Sequence, residues 1–147
     1  MNGARERLKR WMELWRLTDN VYAVYLRRWE LTLNEYLVLD SLREFPDGMQ
    51  PAQLAERFGI QRQLITAILN KLEGRGFILR RESRTDHRRK IIRLNPAGRS
   101  FAEEVCGAVE QLDLHGLDSL SGSECEKLLE YTERFYRAIQ ERAGQTG

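Results

Sequence analysis

Between Gln61 and Leu94 a helix-period segment passes directly into two β-prone runs, and this succession constrains the fold more than any other stretch. Ile65, Ile68, Leu69 and Leu72 recur at spacings of three and four and so share one helix face. Arg62, Gln63, Thr66 and Asn70 fall on the opposite face. Gly74 and Gly76 end the helix, and Gly76 suits a left-handed cap. Phe77-Ile78-Leu79-Arg80 and Lys90-Ile91-Ile92-Arg93-Leu94 then flank a polar loop, Glu82 to Arg89, which reads as a hairpin with a longer-than-minimal turn. Upstream, Gln50-Pro51 opens a short helix with Leu54, Ala55 and Phe58 inward, and Gly59 terminates it. A short helix, a tight glycine turn and a second amphipathic helix make a helix-turn-helix.

Charge singles out the same segment. The chain of 147 residues has a formal net charge of only +2. Residues 71–93 nevertheless hold 9 basic and 3 acidic residues, whereas residues 94–147 hold 5 basic and 10 acidic. A concentrated basic stretch fits a polyanion-binding site, and charge alone fits a solvated hairpin equally well. The exposed face of the helix carries donor and acceptor groups that match base edges: Arg for guanine, Gln and Asn for adenine, Thr for the thymine methyl or a phosphate.

The flanks read as long helices. Residues 4–30 lack Gly and Pro, with one apolar stripe of Leu8, Trp11, Met12, Trp15, Tyr22, Tyr25, Leu26 and Trp29 and another of Leu14, Leu17, Val21 and Val24. So wide an apolar surface calls for burial on more than one side, against a second subunit or as a central core helix of a monomer. Thr32-x-x-Glu35 is a capping box opening a helix whose apolar positions are Tyr36, Leu39, Leu42 and Phe45, stopped by Pro46-Asp47-Gly48. Asn95-Pro96 opens a helix to about Leu114, and Ser121-x-x-Glu124 caps the last one. The tail Gly144–Gly147 is expected to fray.

Other chemistries lack their parts. Cys106 and Cys125 have neither CxxC spacing nor a neighbouring histidine, so no disulfide framework, metal site or cofactor is expected. His87 and His115 pair locally with no nucleophile, and no phosphate-binding glycine loop occurs, so no enzyme is expected. No apolar run approaches the ~20 residues of a membrane span, and no secretory h-region follows the basic N-terminus. A cytoplasmic location is the default expectation.

Leu54-Ala55 with Phe58-Gly59, Leu72-Glu73-x-x-Gly76-Phe77-Ile78 with Arg80, and Asp86-x-Arg88 followed by Leu94 and Gly98 together resemble the MarR family of winged-helix regulators. The resemblance implies a mainly α fold with a small β-hairpin wing. Residues 31–95 would form the winged helix-turn-helix DNA-binding lobe, and residues 1–30 and 96–147 the helical dimerisation region. It further implies a homodimeric regulator of transcription, usually a repressor, on double-stranded DNA with half-sites about one helical turn apart, roughly 10 bp. Gln61, Arg62, Gln63, Thr66 and Asn70 would face the major groove, with Arg84, Arg88 and Arg89 along the wing; Asp86 would be a structural partner for a wing arginine. Many relatives release DNA on binding a phenolic or aromatic ligand in a crevice, for which Trp11, Trp15, Tyr22, Tyr25 and Tyr36, with Trp29, are the candidates here. Peroxide-sensing relatives use a cysteine in the first helix, which this chain lacks. Ala67 stands where many members have a basic residue, Gly74 replaces a polar helix former, and Asn95 stands where threonine is common. The alternative is a winged-helix module that binds protein and not DNA.

Overall fold

A computed structural model of the protein describes residues 2–145. Six helices and one hairpin follow in the order α1 (Asn2–Leu26), a 3-10 turn (Arg27–Trp29), α2 (Leu33–Glu44), α3 (Pro51–Phe58), α4 (Arg62–Gly74), β1 (Ile78–Glu82), β2 (Lys90–Leu94), α5 (Pro96–Leu117) and α6 (Gly122–Gly144). The chain divides into two compact units, residues 1–108 and 109–147.

The first unit is built around α2, α3, α4 and the hairpin. Leu26, Val38, Leu39, Leu42, Leu54, Ile65, Leu69, Leu72, Ile92 and Val105 are fully buried in its core. The expected caps are present. Thr32 Oγ1 accepts from the Glu35 N–H while the Glu35 carboxylate accepts from Thr32 N–H. Gln53 reaches back to the Gln50 N–H at 2.8 Å, and Gly59 turns the chain at φ 60°. At the end of α4, Gly76 N–H donates to Glu73 O and Phe77 N–H to Leu72 O, a Schellman closure with Gly76 at φ 80°. Phe77 therefore belongs to the helix cap, and β1 begins one residue later than its β-prone run.

β1 and β2 are antiparallel, registered Ile78 with Leu94 through Glu82 with Lys90. Met49 extends this pairing on the far edge of β2 by exchanging both backbone hydrogen bonds with Ile92, at 2.9 and 2.8 Å. Gly48 makes that approach possible. Its φ is +104°, and a Cβ there would lie 2.4 Å from Ile91 Cγ2. The Pro-Asp-Gly stop of α2 thus also joins the hairpin to the helical core.

The first helix departs from its expected span. It ends at Leu26, and the chain turns through Arg27–Trp29 to Glu30, which adopts φ +54°. This left-handed turn delivers Leu31 into the core, 4 % exposed. Nothing in the local sequence marks it, because glutamate is unfavourable there. Arg75, at the end of α4, holds it by donating to the carbonyls of Trp29 (2.9 Å) and Glu30 (3.2 Å). The Arg75 guanidinium also lies 5.2 Å and 5.0 Å from the ring centroids of Phe77 and Phe101, which stack on each other at 4.2 Å.

Burial of α1 on more than one side is not realised within one chain. Leu8, Met12, Trp15, Val21 and Val24 are each more than half exposed. In the second unit, α6 is capped by Ser121 and Glu124 as expected. Its apolar residues Leu129, Tyr131, Tyr136 and Ile139 are likewise more than half exposed. α5 continues three residues past its expected end, to Leu117. α6 runs through Gly144, the first residue of the stretch expected to fray; Thr146 and Gly147 lie outside the described residues. No helix among the described residues is long and apolar enough to cross a membrane.

Candidate nucleic-acid interface

α4 packs its apolar face, Ile65, Ile68, Leu69 and Leu72, into the core. Amphipathic geometry then forces the other face outward, and Gln61, Arg62, Gln63, Thr66 and Asn70 are all exposed. Gln61 is the N-cap and not a helical residue, so its side chain leaves from the mouth of the helix. At 100° per residue, Gln63, Ala67, Asn70 and Gly74 lie nearest the outermost line of α4, with Arg62 and Thr66 along one flank. Thr66 Oγ1 donates to the Arg62 carbonyl at 2.9 Å, which fixes its hydroxyl on the backbone of its own helix. Leu64, 44 % exposed on the other flank, adds an apolar contact group that periodicity alone did not single out.

Besides Arg75, two further side-chain links tie this helix to its surroundings. Lys71 pairs at 2.8 Å with Glu35, whose carboxylate is buried at the start of α2. Arg80 on β1 reaches back to α4 by Nη2 to Asn70 Oδ1 (2.5 Å) and by Nε to Glu73 Oε2 (2.5 Å). Arg80 belongs to the motif that carries the family resemblance, but its contact with Asn70 has no signal in spacing or periodicity.

The loop of the wing is organised by Asp86. Its Oδ1 accepts from the Arg88 backbone N–H (3.0 Å), its backbone carbonyl accepts from Arg89 N–H (3.0 Å), and its Oδ2 faces Arg89 Nε at 3.4 Å. The side chain paired with Asp86 is thus Arg89. Arg84 and Arg88 are exposed and make no ion pair among the described residues. Glu82 sits between His87 (3.5 Å) and Lys90 (3.7 Å) at the base of the loop. Inside it, Ser83 is buried and accepts from Thr85 N–H at 3.3 Å, so the loop has its own polar interior.

The aromatic residues of α1 do not surround one enclosed cavity. Trp11 and Trp15 form an edge-to-face pair at 5.5 Å, and Tyr25 and Trp29 another at 5.6 Å. Trp11 and Tyr25 are separated by fourteen helical residues, about 21 Å along the axis. A groove of about 540 Å³ is lined by Leu17, Asn20, Val21, Val24, Tyr25 and Arg28, so Tyr25 alone of the expected crevice residues lines it. Tyr22 is half-buried on α1, and Tyr36 is half-buried in the first turn of α2.

Cys106 is buried, and burial first, then the negative charge of Asp40, pushes its thiol up to about 12. Its raised folded value opposes ionisation, so its contribution to stability is complete below the ordinary thiol value of 9.0 and is lost only as pH rises above it. Near neutral pH the thiol stays protonated and inert. In native protein at pH 8 Cys106 is expected to resist maleimide and to label fully in urea, read by intact mass and peptide mapping. Equal labelling rates in the two states would contradict its burial.

The MarR family model matches residues 29–89, the span from the Trp29 turn to the end of the wing loop. FabT of Streptococcus pneumoniae, solved in complex with DNA, is similar at a TM-score of 0.79 and 20 % identity, over 93 % of this chain and 98 % of that one. MepR of S. aureus, solved as a DNA complex, gives 0.77 and 18 % over 88 % and 94 %. A probable transcriptional regulator from Pseudomonas aeruginosa gives 0.68 and 26 % over 83 % and 93 %. With the MarR family model lying on its helix-turn-helix and wing, and the fold shared over most of its length, this chain is similar to the winged-helix transcriptional regulators of the MarR family.

Proposed function

We propose that the protein is a sequence-specific DNA-binding repressor that works as a homodimer on a pseudo-palindromic operator. The observation that carries this reading is the pairing of an outward polar helix face with a wing whose Arg84 and Arg88 have no ion-pair partner among the described residues. Guanidinium groups without a carboxylate partner suit phosphates or a narrow minor groove. Two similar structures were solved with DNA, which supports the same assignment. In this reading residues 31–95 read DNA, and residues 1–30 and 96–147 supply the dimer surface. The exposed apolar side chains of α1 and α6 support a second copy covering them.

Release by a small aromatic or phenolic acid is the finer part of the proposal. The groove on α1 supports it, since Leu17, Val21 and Val24 offer apolar walls and the Arg28 guanidinium, 4.2 Å above the Tyr25 ring, offers a cation.

The test is an anisotropy titration of the dimer with a duplex from the gene's own upstream region and with a scrambled duplex of equal composition. Specific binding is expected to be tighter by roughly a thousandfold or more. Equal affinity for the two duplexes, or none for either, would favour the winged-helix module that binds protein instead.

A further inference from the structure

Arg80 is an unusual neighbour for a base-reading side chain. It stands on β1, outside the reading helix, yet its Nη2 is 2.5 Å from Asn70 Oδ1 and its Nε is 2.5 Å from Glu73 Oε2. A guanidinium only donates, so the Asn70 atom facing it must be the carbonyl oxygen, and the amide nitrogen must face away. Glu73 neutralises Arg80 and holds the fork in place, because a planar guanidinium spans two oxygens at once. Asn70 is exposed near the outermost line of α4 and is thereby held in one of its two amide orientations.

Adenine recognition by asparagine needs both ends of the amide. Oδ1 must accept from N6–H2 while Nδ2 donates to N7. In this structure Oδ1 is already engaged, and the guanidinium beside its remaining lone pair repels an incoming N–H. Nδ2 keeps two donors for the groove. We infer that Arg80 sets the base specificity of Asn70, converting it from a bidentate adenine reader into a donor-only probe for acceptor edges such as guanine O6 and N7 or thymine O4. This rests on the proposed DNA binding and adds a positioning residue to it.

The experiment is selection of binding sites from a randomised duplex library with the full-length protein, its Asn70→Ala variant and Arg80→Met. Asn70→Ala locates the operator position that Asn70 reads. At that position the wild type is expected to prefer a base with acceptors, and Arg80→Met to shift the preference toward adenine by roughly tenfold, the scale of one bidentate pair. Other positions should keep their preferences. Arg80→Lys keeps a positive charge for Glu73 without the planar fork and is expected to show the same shift, so a poorly folded Arg80→Met does not end the test. An unchanged base preference at the Asn70 position in a folded Arg80 variant overturns the inference, as does an even loss of affinity across all sequences. A wild-type protein that enriches no sequence overturns the DNA reading itself, and this inference with it.

Discussion

Replacing Gly98 with alanine is expected to destabilise the first unit by about 3 kcal/mol, the upper part of the range for a methyl group forced into a packed site. The reason is a close approach between chain segments. A Cβ on Gly98 would lie 1.9 Å from the Phe77 carbonyl oxygen and 2.8 Å from its carbon. Phe77 O cannot simply retreat, because it accepts the Asn95 N–H at 3.0 Å. Asn95 is fixed in turn. Its Oδ1 accepts from Gly98 N–H and its Nδ2 donates to Gly76 O, both at 2.7 Å. The cap of α5 and the cap of α4 are thus one hydrogen-bonded knot, and an added methyl group pushes them apart. Threonine, which also caps helices, has no amide donor for Gly76 O, so asparagine does more here than start α5. The control is Gly59→Ala. Gly59 shares the left-handed conformation at φ +60° but has nothing within 4 Å of its Cβ position. Its cost should be about 1 kcal/mol, for backbone strain alone. Urea midpoints of the two variants would decide the matter, and similar losses would rule out the steric account.

Removing Arg84 and Arg88 together should have the largest effect on DNA. The proposed homodimer would lose four guanidinium groups, and each neutralised phosphate contributes about 0.9 to the slope of log affinity against log salt. If all four face phosphates, the slope falls by roughly 3 to 4, and affinity near 0.1 M salt falls by about a thousandfold. Both residues are exposed and outside any ion pair among the described residues, so stability should change little. Titrations over a series of KCl concentrations measure the slope directly. A double variant with the wild-type slope would remove the wing from the contact surface. Arg89→Ala should behave differently, since Arg89 already faces the Asp86 carboxylate at 3.4 Å and is partly neutralised before DNA arrives.

The candidate site was legible in the sequence only as far as exposure. Arg62, Gln63, Thr66 and Asn70 had to face outward once Ile65, Ile68, Leu69 and Leu72 faced in, because a helix has only one opposite side. Their hydrogen bonds were not legible. Thr66 is turned onto Arg62 within its own helix, and Asn70 is held by a residue on β1. The aromatic residues of α1 show the same limit. Their helical spacing is real, but it places Trp11 and Tyr25 at separate stations along the axis, with only Tyr25 lining the groove.

What the sequence determined by itself was every feature whose cause lies within one helical turn. Thr32 with Glu35, and Ser121 with Glu124, cap their helices across three residues. Gly59 and Gly76 end theirs with local left-handed turns. Only the tertiary structure decided the features whose partners are remote along the chain. Glu30 keeps φ +54° where Arg75, 45 residues away, holds its carbonyl. Gly48 must be glycine because β2 runs against it, and Gly98 because Phe77 does. The physical reason is common to all of them. Caps and periodicity act through the backbone of one element, whereas steric approach and side-chain bridging exist only after separate elements have been brought together.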